Sequence, residues 1–156
     1  MARFTTMLDL YALPTDFPGW AEARRRTTTS ERVEALEAAL QAEIADPRFL
    51  PYIQLHEFEA LLYCDLSQLE QRIEGSGPAL ATLAAEVAGL EPEEINEGAA
   101  TAPSKRIIRH VPAYERAKVR VGAPAAAAIG LAALRARCPH FSSWVTRMEQ
   151  LGSPLV

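Results

Sequence analysis

The sequence predicts an α/β fold: a partial sheet of two strands flanked by helices, followed by a helical carboxyl-terminal part. Three observations carry that expectation. Residues 4–10 (Phe-Thr-Thr-Met-Leu-Asp-Leu) and 49–55 (Phe-Leu-Pro-Tyr-Ile-Gln-Leu) are short runs rich in apolar residues, the composition of buried strands. Between and after them, apolar residues recur at helical spacing behind recognisable start signals. Two strands are too few to close a sheet on their own.

In chain order, the first strand delivers Asp9 near its carboxyl end, and Pro14, Asp16, Pro18 and Gly19 then form a loop anchored by Phe17 and Trp20. Thr28 and Glu31 have the spacing of a capping box, which opens a helix with Val33, Leu36, Leu40 and Ile44 on one face, and Asp46-Pro47 stops it. The second strand runs straight into His56-Glu57-Phe58-Glu59, where Phe58, Leu61 and Leu62 begin a short helix. Asp65 with Gln68 caps a further helix through Leu66, Leu69 and Ile73. After the break at Gly75-Ser76-Gly77-Pro78, Leu80, Leu83 and Val87 mark another, and Glu91-Pro92-Glu93-Glu94 starts an acidic turn. Periodicity fades from 96 to 122, which reads as irregular backbone. Pro124 is expected to open an alanine-rich helix, and Phe141, Trp144, Val145, Met148 and Leu151 to face the core from the last one.

A chain of 156 residues, 49% hydrophobic and 23% charged, is neither disordered nor fibrous. No stretch has the roughly eighteen uninterrupted apolar residues of a spanning helix, and the first residues do not resemble a signal peptide, so the expected location is the cytoplasm. Cys64 and Cys138 have no second Cys or His at zinc-ligand spacing and read as two buried thiols. The net charge of −4 argues against wholesale coating of a polyanion, but not against a local basic stripe.

Two groups of residues could carry chemistry. Asp9, Glu57 and Glu59 sit at the carboxyl ends of the two strands, where open α/β sheets bind ligands, and three hard oxygen donors suit Mg²⁺ acting on a phosphodiester. Equally, Glu57 and Glu59 are acidic residues at a helix start, and Asp9 can end its strand in solvent. His56 beside them is a general base, an orienting donor or a satisfied core residue. The second group is the basic stripe: residues 105–120 hold six Lys or Arg against one Glu. Ser104, Lys105, Arg106, Arg109, Arg116, Lys118 and Arg120 form either a phosphate or nucleic-acid cradle, with Tyr114 available for stacking, or a solvated loop paired with the acidic segment at 91–97.

At His56-Glu57-Phe58-Glu59-Ala60-Leu61-Leu62, Thr101-Ala102-Pro103-Ser104-Lys105-Arg106 and Cys138-Pro139-His140-Phe141-Ser142-Ser143-Trp144, the chain resembles a bacterial family, domain of unknown function 4276. The segment from Phe4 to Tyr11 and Asp16-Phe17-Pro18-Gly19 match it as well, so the resemblance spans nearly the whole chain. It implies one toprim-like domain over 1–156, with a partial parallel sheet, encoded beside an ATPase in systems resembling phage-defence modules, and Mg²⁺-dependent nuclease chemistry. On that likeness Asp9 stands at the toprim aspartate, with Glu57 and Glu59 as further acids and catalytic candidates. Lys105 and Arg106 are the phosphate-facing cations, Lys105 also a catalytic candidate, and His56 and Asn96 fit the pattern. Three departures matter. The Glu-Gly that ends the relatives' first strand has no counterpart before Met1, which implies a domain lacking its amino-terminal strand and crossover. Tyr11 replaces the second acid of an Asp-x-Asp pair, and Val121-Gly122 stands where relatives carry His-Gly. A shortened chain is expected to be weakened or inactive as a nuclease, and its open sheet edge invites a second copy or another protein. The rival reading is a non-catalytic regulatory or interaction partner of the ATPase; a third is nucleic-acid binding without cleavage.

Overall fold

Four short strands arise where two unbroken ones were expected: β1 (Phe4–Thr5), β2 (Leu8–Asp9), β3 (Phe49–Leu50) and β4 (Ile53–Gln54). β1 pairs with β3 and β2 with β4, both in parallel, with Phe4 opposite Phe49 and Leu8 opposite Ile53. The interruption has a local cause. Thr5 Oγ1 donates to the Leu50 carbonyl at 2.6 Å, and Thr6 Oγ1 accepts from Tyr52 N at 3.0 Å and lies 3.1 Å from its carbonyl oxygen. Threonine hydroxyls thus take ladder bonds that the backbone would otherwise make. Phe4 N and Leu8 N bond the carbonyls of Arg48 and Tyr52, so the intervening Pro51 turns its missing N–H to the outer edge, the place where a strand tolerates proline. On that same edge, Glu37 Oε1 accepts the Ile53 N–H at 2.8 Å.

The computed structural model describes residues 2–95, 98 and 101–152. The chain divides into two compact units, one comprising Met1–Glu57 and Ser143–Val156, the other Phe58–Ser142. The first holds the strand pairs, α1 (Trp20–Ala23), α2 (Thr29–Ile44) and the later residues of α8 (Pro139–Gly152). Thr28 and Glu31 close the predicted capping box, a feature contributing about 1 kcal/mol. α2 ends at Ile44 with Ala45 in left-handed backbone (φ 51°), as the Asp46-Pro47 stop requires. Val33 and Leu36 from α2 pack with Leu10, Ala23, Ile53 and Leu55 into this unit's core. Gly19 is at φ 75°, and a Cβ there would come within 2.5 Å of Ala39 Cβ, so only glycine lets α1 approach α2 at this point. The Trp144 ring stacks on Tyr52 at 4.2 Å, and its Nε1 donates to Thr5 Oγ1 at 2.9 Å.

The second unit is helical: a 3₁₀ helix at Phe58–Cys64, α3 (Ser67–Glu70), α4 (Gly77–Glu86), a 3₁₀ turn at Pro92–Glu94, α5 (Pro103–His110), α6 (Tyr114–Ile129), α7 (Leu131–Arg137) and the start of α8. Leu62, Leu69, Leu83, Ile95, Ile107 and Tyr114 are at the centre of its core. Two expectations are corrected here. Within 96–122, residues 103–110 and 114–122 are helical rather than irregular, because Ile107, Val111, Tyr114, Ala117 and Val121 recur at helical spacing and are all buried. Pro124 lies inside α6 instead of opening a helix. It and Arg120 both face solvent, so water can bond the Arg120 carbonyl that loses its helical partner. The break falls at Gly130 (φ 84°). Among the described residues no single helix is long and apolar enough to cross a membrane.

Candidate functional site

Parallel pairing of β2 with β4 sends both strands out at the same end. Asp9, the last residue of β2, faces Gln54 in the ladder, and the partner strand continues through Leu55 to His56 and Glu57. The two backbones stay paired past the strands, since Tyr11 N donates to the His56 carbonyl at 3.0 Å. Asp9 is followed directly by a 3₁₀ helix at Leu10–Ala12, which carries Tyr11. The first unit therefore presents Asp9, Tyr11, His56 and Glu57 along one sheet rim.

His56 is buried and sits at φ 64°, one of two described non-glycine residues with positive φ. Such backbone disfavours a residue with a Cβ by about 1–2 kcal/mol and persists where the surroundings hold it, often at functional sites. Here it turns the chain sharply at the strand's end, just before Glu57. The Tyr11 hydroxyl is 3.5 Å from His56 Nδ1 and the two rings are 5.8 Å apart. Burial, then the negative charge of Glu57, raises the Tyr11 hydroxyl above its ordinary range, with Arg32 of α2 pulling the other way. Tyr11 thus stays a protonated donor at neutral pH. The residue that looked like a lost acid in Asp9-x-Tyr11 is the neighbour of His56; the signal for it was the two-residue spacing from Asp9. Nothing in the sequence pointed to Arg32.

Glu59 belongs to the second unit, in the 3₁₀ helix, and is buried. Its Oε1 accepts from the Tyr114 hydroxyl at 3.3 Å and lies 3.5 Å from Lys118 Nζ. Tyr114 and Lys118 are four residues apart on α6 and share a face, which continues to Gly122. A Cβ at Gly122 would come within 3.2 Å of the Tyr114 hydroxyl oxygen and 3.3 Å of Phe58 Cε1. Glu59 and Lys118 therefore clamp the 3₁₀ helix to α6.

The basic stripe falls on α5 and the first half of α6. Ser104 is buried and Lys105 exposed. Arg106, Arg109 and His110 converge on Glu86 of α4; Arg106 Nη1 is 2.6 Å and His110 Nε2 2.9 Å from its oxygens. The bonds from Arg109 and His110 hold the Glu86 carboxyl down at about 2. Among the described residues, Glu86 thus answers Arg106 and Arg109, and Glu59 answers Lys118. Lys105, Arg116 and Arg120 remain exposed on α5 and α6. Asn96 and Glu97 lie outside the described residues.

Among the described residues, no three His, Cys, Asp or Glu side chains gather closely enough to hold a metal ion. An ion at the rim of the first unit would rest on at most two side chains with water and substrate oxygens. That is the regime of Mg²⁺, which keeps several waters and takes one or two carboxylates, so Asp9 and Glu57 fit it in number and kind.

The family model for a domain of unknown function, DUF4276, matches residues 1–149. No curated protein and no solved structure matches the chain.

Proposed function

Because the chain belongs to the DUF4276 family of domains of unknown function, we propose that it is a Mg²⁺-dependent phosphodiester-cleaving domain of toprim type, working in a phage-defence setting beside an ATPase. The supporting observation is the rim of the first unit, where parallel strands bring Asp9 and the strained, buried His56 with Glu57 to one end. The phage-defence setting and the ATPase come from the family likeness alone.

Asp9 and Glu57 would hold the ion, which when bound supplies charge neutralisation at a phosphodiester. Burial, and after it the Glu57 charge, raises the Tyr11 hydroxyl above its ordinary range. The Tyr11 hydroxyl, lying against His56 Nδ1, is placed to donate a hydrogen bond to a phosphate oxygen. His56 orients that hydroxyl and can exchange a proton with it. In the second unit, the exposed Lys105, Arg116 and Arg120 offer sequence-independent contacts to a polyanion, while Glu59, Arg106, Arg109 and Lys118 are engaged in ion pairs.

The test is incubation of the purified chain with single-stranded DNA, duplex DNA and RNA, with Mg²⁺ and with chelator. Cleavage that needs Mg²⁺ and stops on chelation is the expected result. Intact polynucleotide in every condition overturns the proposal. In that event, oligomers built through the segment from β1 to β2, where Phe4 and Met7 are 46% and 40% exposed, would select the docking alternative.

A further inference from the structure

Two cysteines 74 residues apart in sequence meet in the second unit. Cys64 ends the 3₁₀ helix and is half-buried; Cys138 is buried at the junction of α7 and α8. Their sulfurs are 3.5 Å apart, in contact and unbonded. We propose that Cys64 and Cys138 are a redox-active dithiol that a peroxide converts to an intramolecular disulfide, with Cys64 the attacking and Cys138 the resolving sulfur.

The roles follow from exposure and charge. Cys64 is the more accessible of the pair, and Arg137 lies against it, its Nη1 bonding the Tyr63 and Cys64 carbonyls at 3.2 and 3.3 Å. A thiolate is the nucleophile toward peroxide, and hydrogen bonding with a nearby cation favours it. The contact with Cys138, then the Arg137 charge, lower the Cys64 thiol against burial and the negative charges of Glu93 and Glu91. The same contact and burial raise Cys138. The resolving sulfur is therefore kept as a thiol until its partner has reacted.

The reaction balances as follows. The Cys64 thiolate attacks one peroxide oxygen, the O–O bond breaks, and hydroxide leaves and is protonated to water, giving a Cys64 sulfenic acid. Cys138 then gives up its proton as its sulfur attacks Cys64 sulfur; the S–S bond forms, the S–O bond breaks, and the departing hydroxide takes that proton as a second water. Two thiols are oxidised by two electrons and one hydrogen peroxide is reduced to two waters. Bonding needs the sulfurs to close by about 1.5 Å from 3.5 Å. Where the compartment is reducing, such bonds are transient and sensory rather than structural, and thiol reductants reverse them.

The experiment treats the full chain with hydrogen peroxide and reads intact mass, free thiols and the cross-linked peptide. The expected result is loss of two hydrogens, loss of both free thiols, a Cys64–Cys138 peptide and full reversal by dithiothreitol. The oxidised chain should melt roughly 5–15 °C higher, because the bond closes a long loop. In Cys138→Ser, the Cys64 sulfenic acid should accumulate and be trapped by dimedone; in Cys64→Ser, Cys138 should react at least tenfold more slowly. Cysteines that stay reduced, or that go to sulfinic acid or intermolecular dimers without the internal cross-link, would overturn the proposal. It stands apart from the reading of the strand rim, since neither thiol belongs to that rim.

Discussion

Asp9→Asn is expected to lower Mg²⁺-dependent cleavage by roughly 100-fold or more while leaving the near-ultraviolet dichroism of the chain unchanged. The substitution preserves shape and removes one negative charge from the rim where β2 and β4 end together. A divalent ion resting on two carboxylates would lose half of its protein charge by that change. Glu57→Gln should lower cleavage by a similar factor and carry a second signature. Glu57 is one of the causes that raise Tyr11, so its neutralisation should lower the Tyr11 titration midpoint seen by ultraviolet absorbance. Burial is the larger cause and is untouched, so the hydroxyl should remain above its ordinary range. Cleavage at the unaltered rate in both variants would show that the rim is not where the reaction occurs.

Glu93→Ala should destabilise the chain by about 2–3 kcal/mol, read as a lower midpoint in urea unfolding. Glu93 is buried in the turn at Pro92–Glu94 and accepts the His140 and Phe141 N–H groups at 2.9 and 3.0 Å, the first turn of α8. It acts as a helix cap supplied from 47 residues away. Alanine removes both acceptors from a place that water reaches poorly, whereas Glu93→Gln keeps one oxygen and should cost about half as much. Burial raises the Glu93 carboxyl despite these bonds. A carboxyl whose folded-state value is raised favours the folded chain when protonated; that contribution is complete below its ordinary value of 4.5 and fades as pH rises through the folded value. Glu93→Gln, which cannot ionise, should therefore lose less stability than wild type between pH 4.5 and neutrality.

Much of the fold was legible because local chemistry and tertiary structure agree. Thr28 and Glu31 placed the start of α2 and Asp46-Pro47 its end. The strand positions were right and their continuity was not, since threonine hydroxyls intercepted the ladder, a choice that depends on the partner strand's register. The helices under the basic stripe had a readable signal in Ile107, Val111, Tyr114, Ala117 and Val121. Dense cations and Pro112 obscured it. The candidate site was legible as residue types at strand ends, but not as a partition. Asp9 and Glu57 belong to one unit, and Glu59 belongs to the other as a clamp on α6. The left-handed turn at His56 and the meeting of Cys64 with Cys138 left no mark in the sequence, because a histidine carries no glycine-like turn signal and 74 residues of chain separate the sulfurs.

The account rests on an ion held at the end of the β2–β4 pair, and Mn²⁺, a paramagnetic stand-in for Mg²⁺, tests it most directly. Substoichiometric Mn²⁺ should broaden the backbone amide signals of Asp9, Tyr11, His56 and Glu57, excess Mg²⁺ should restore them, and Asp9→Asn should abolish the effect. Broadening confined to other acidic positions such as Glu91 and Glu94, or none at all, would contradict it.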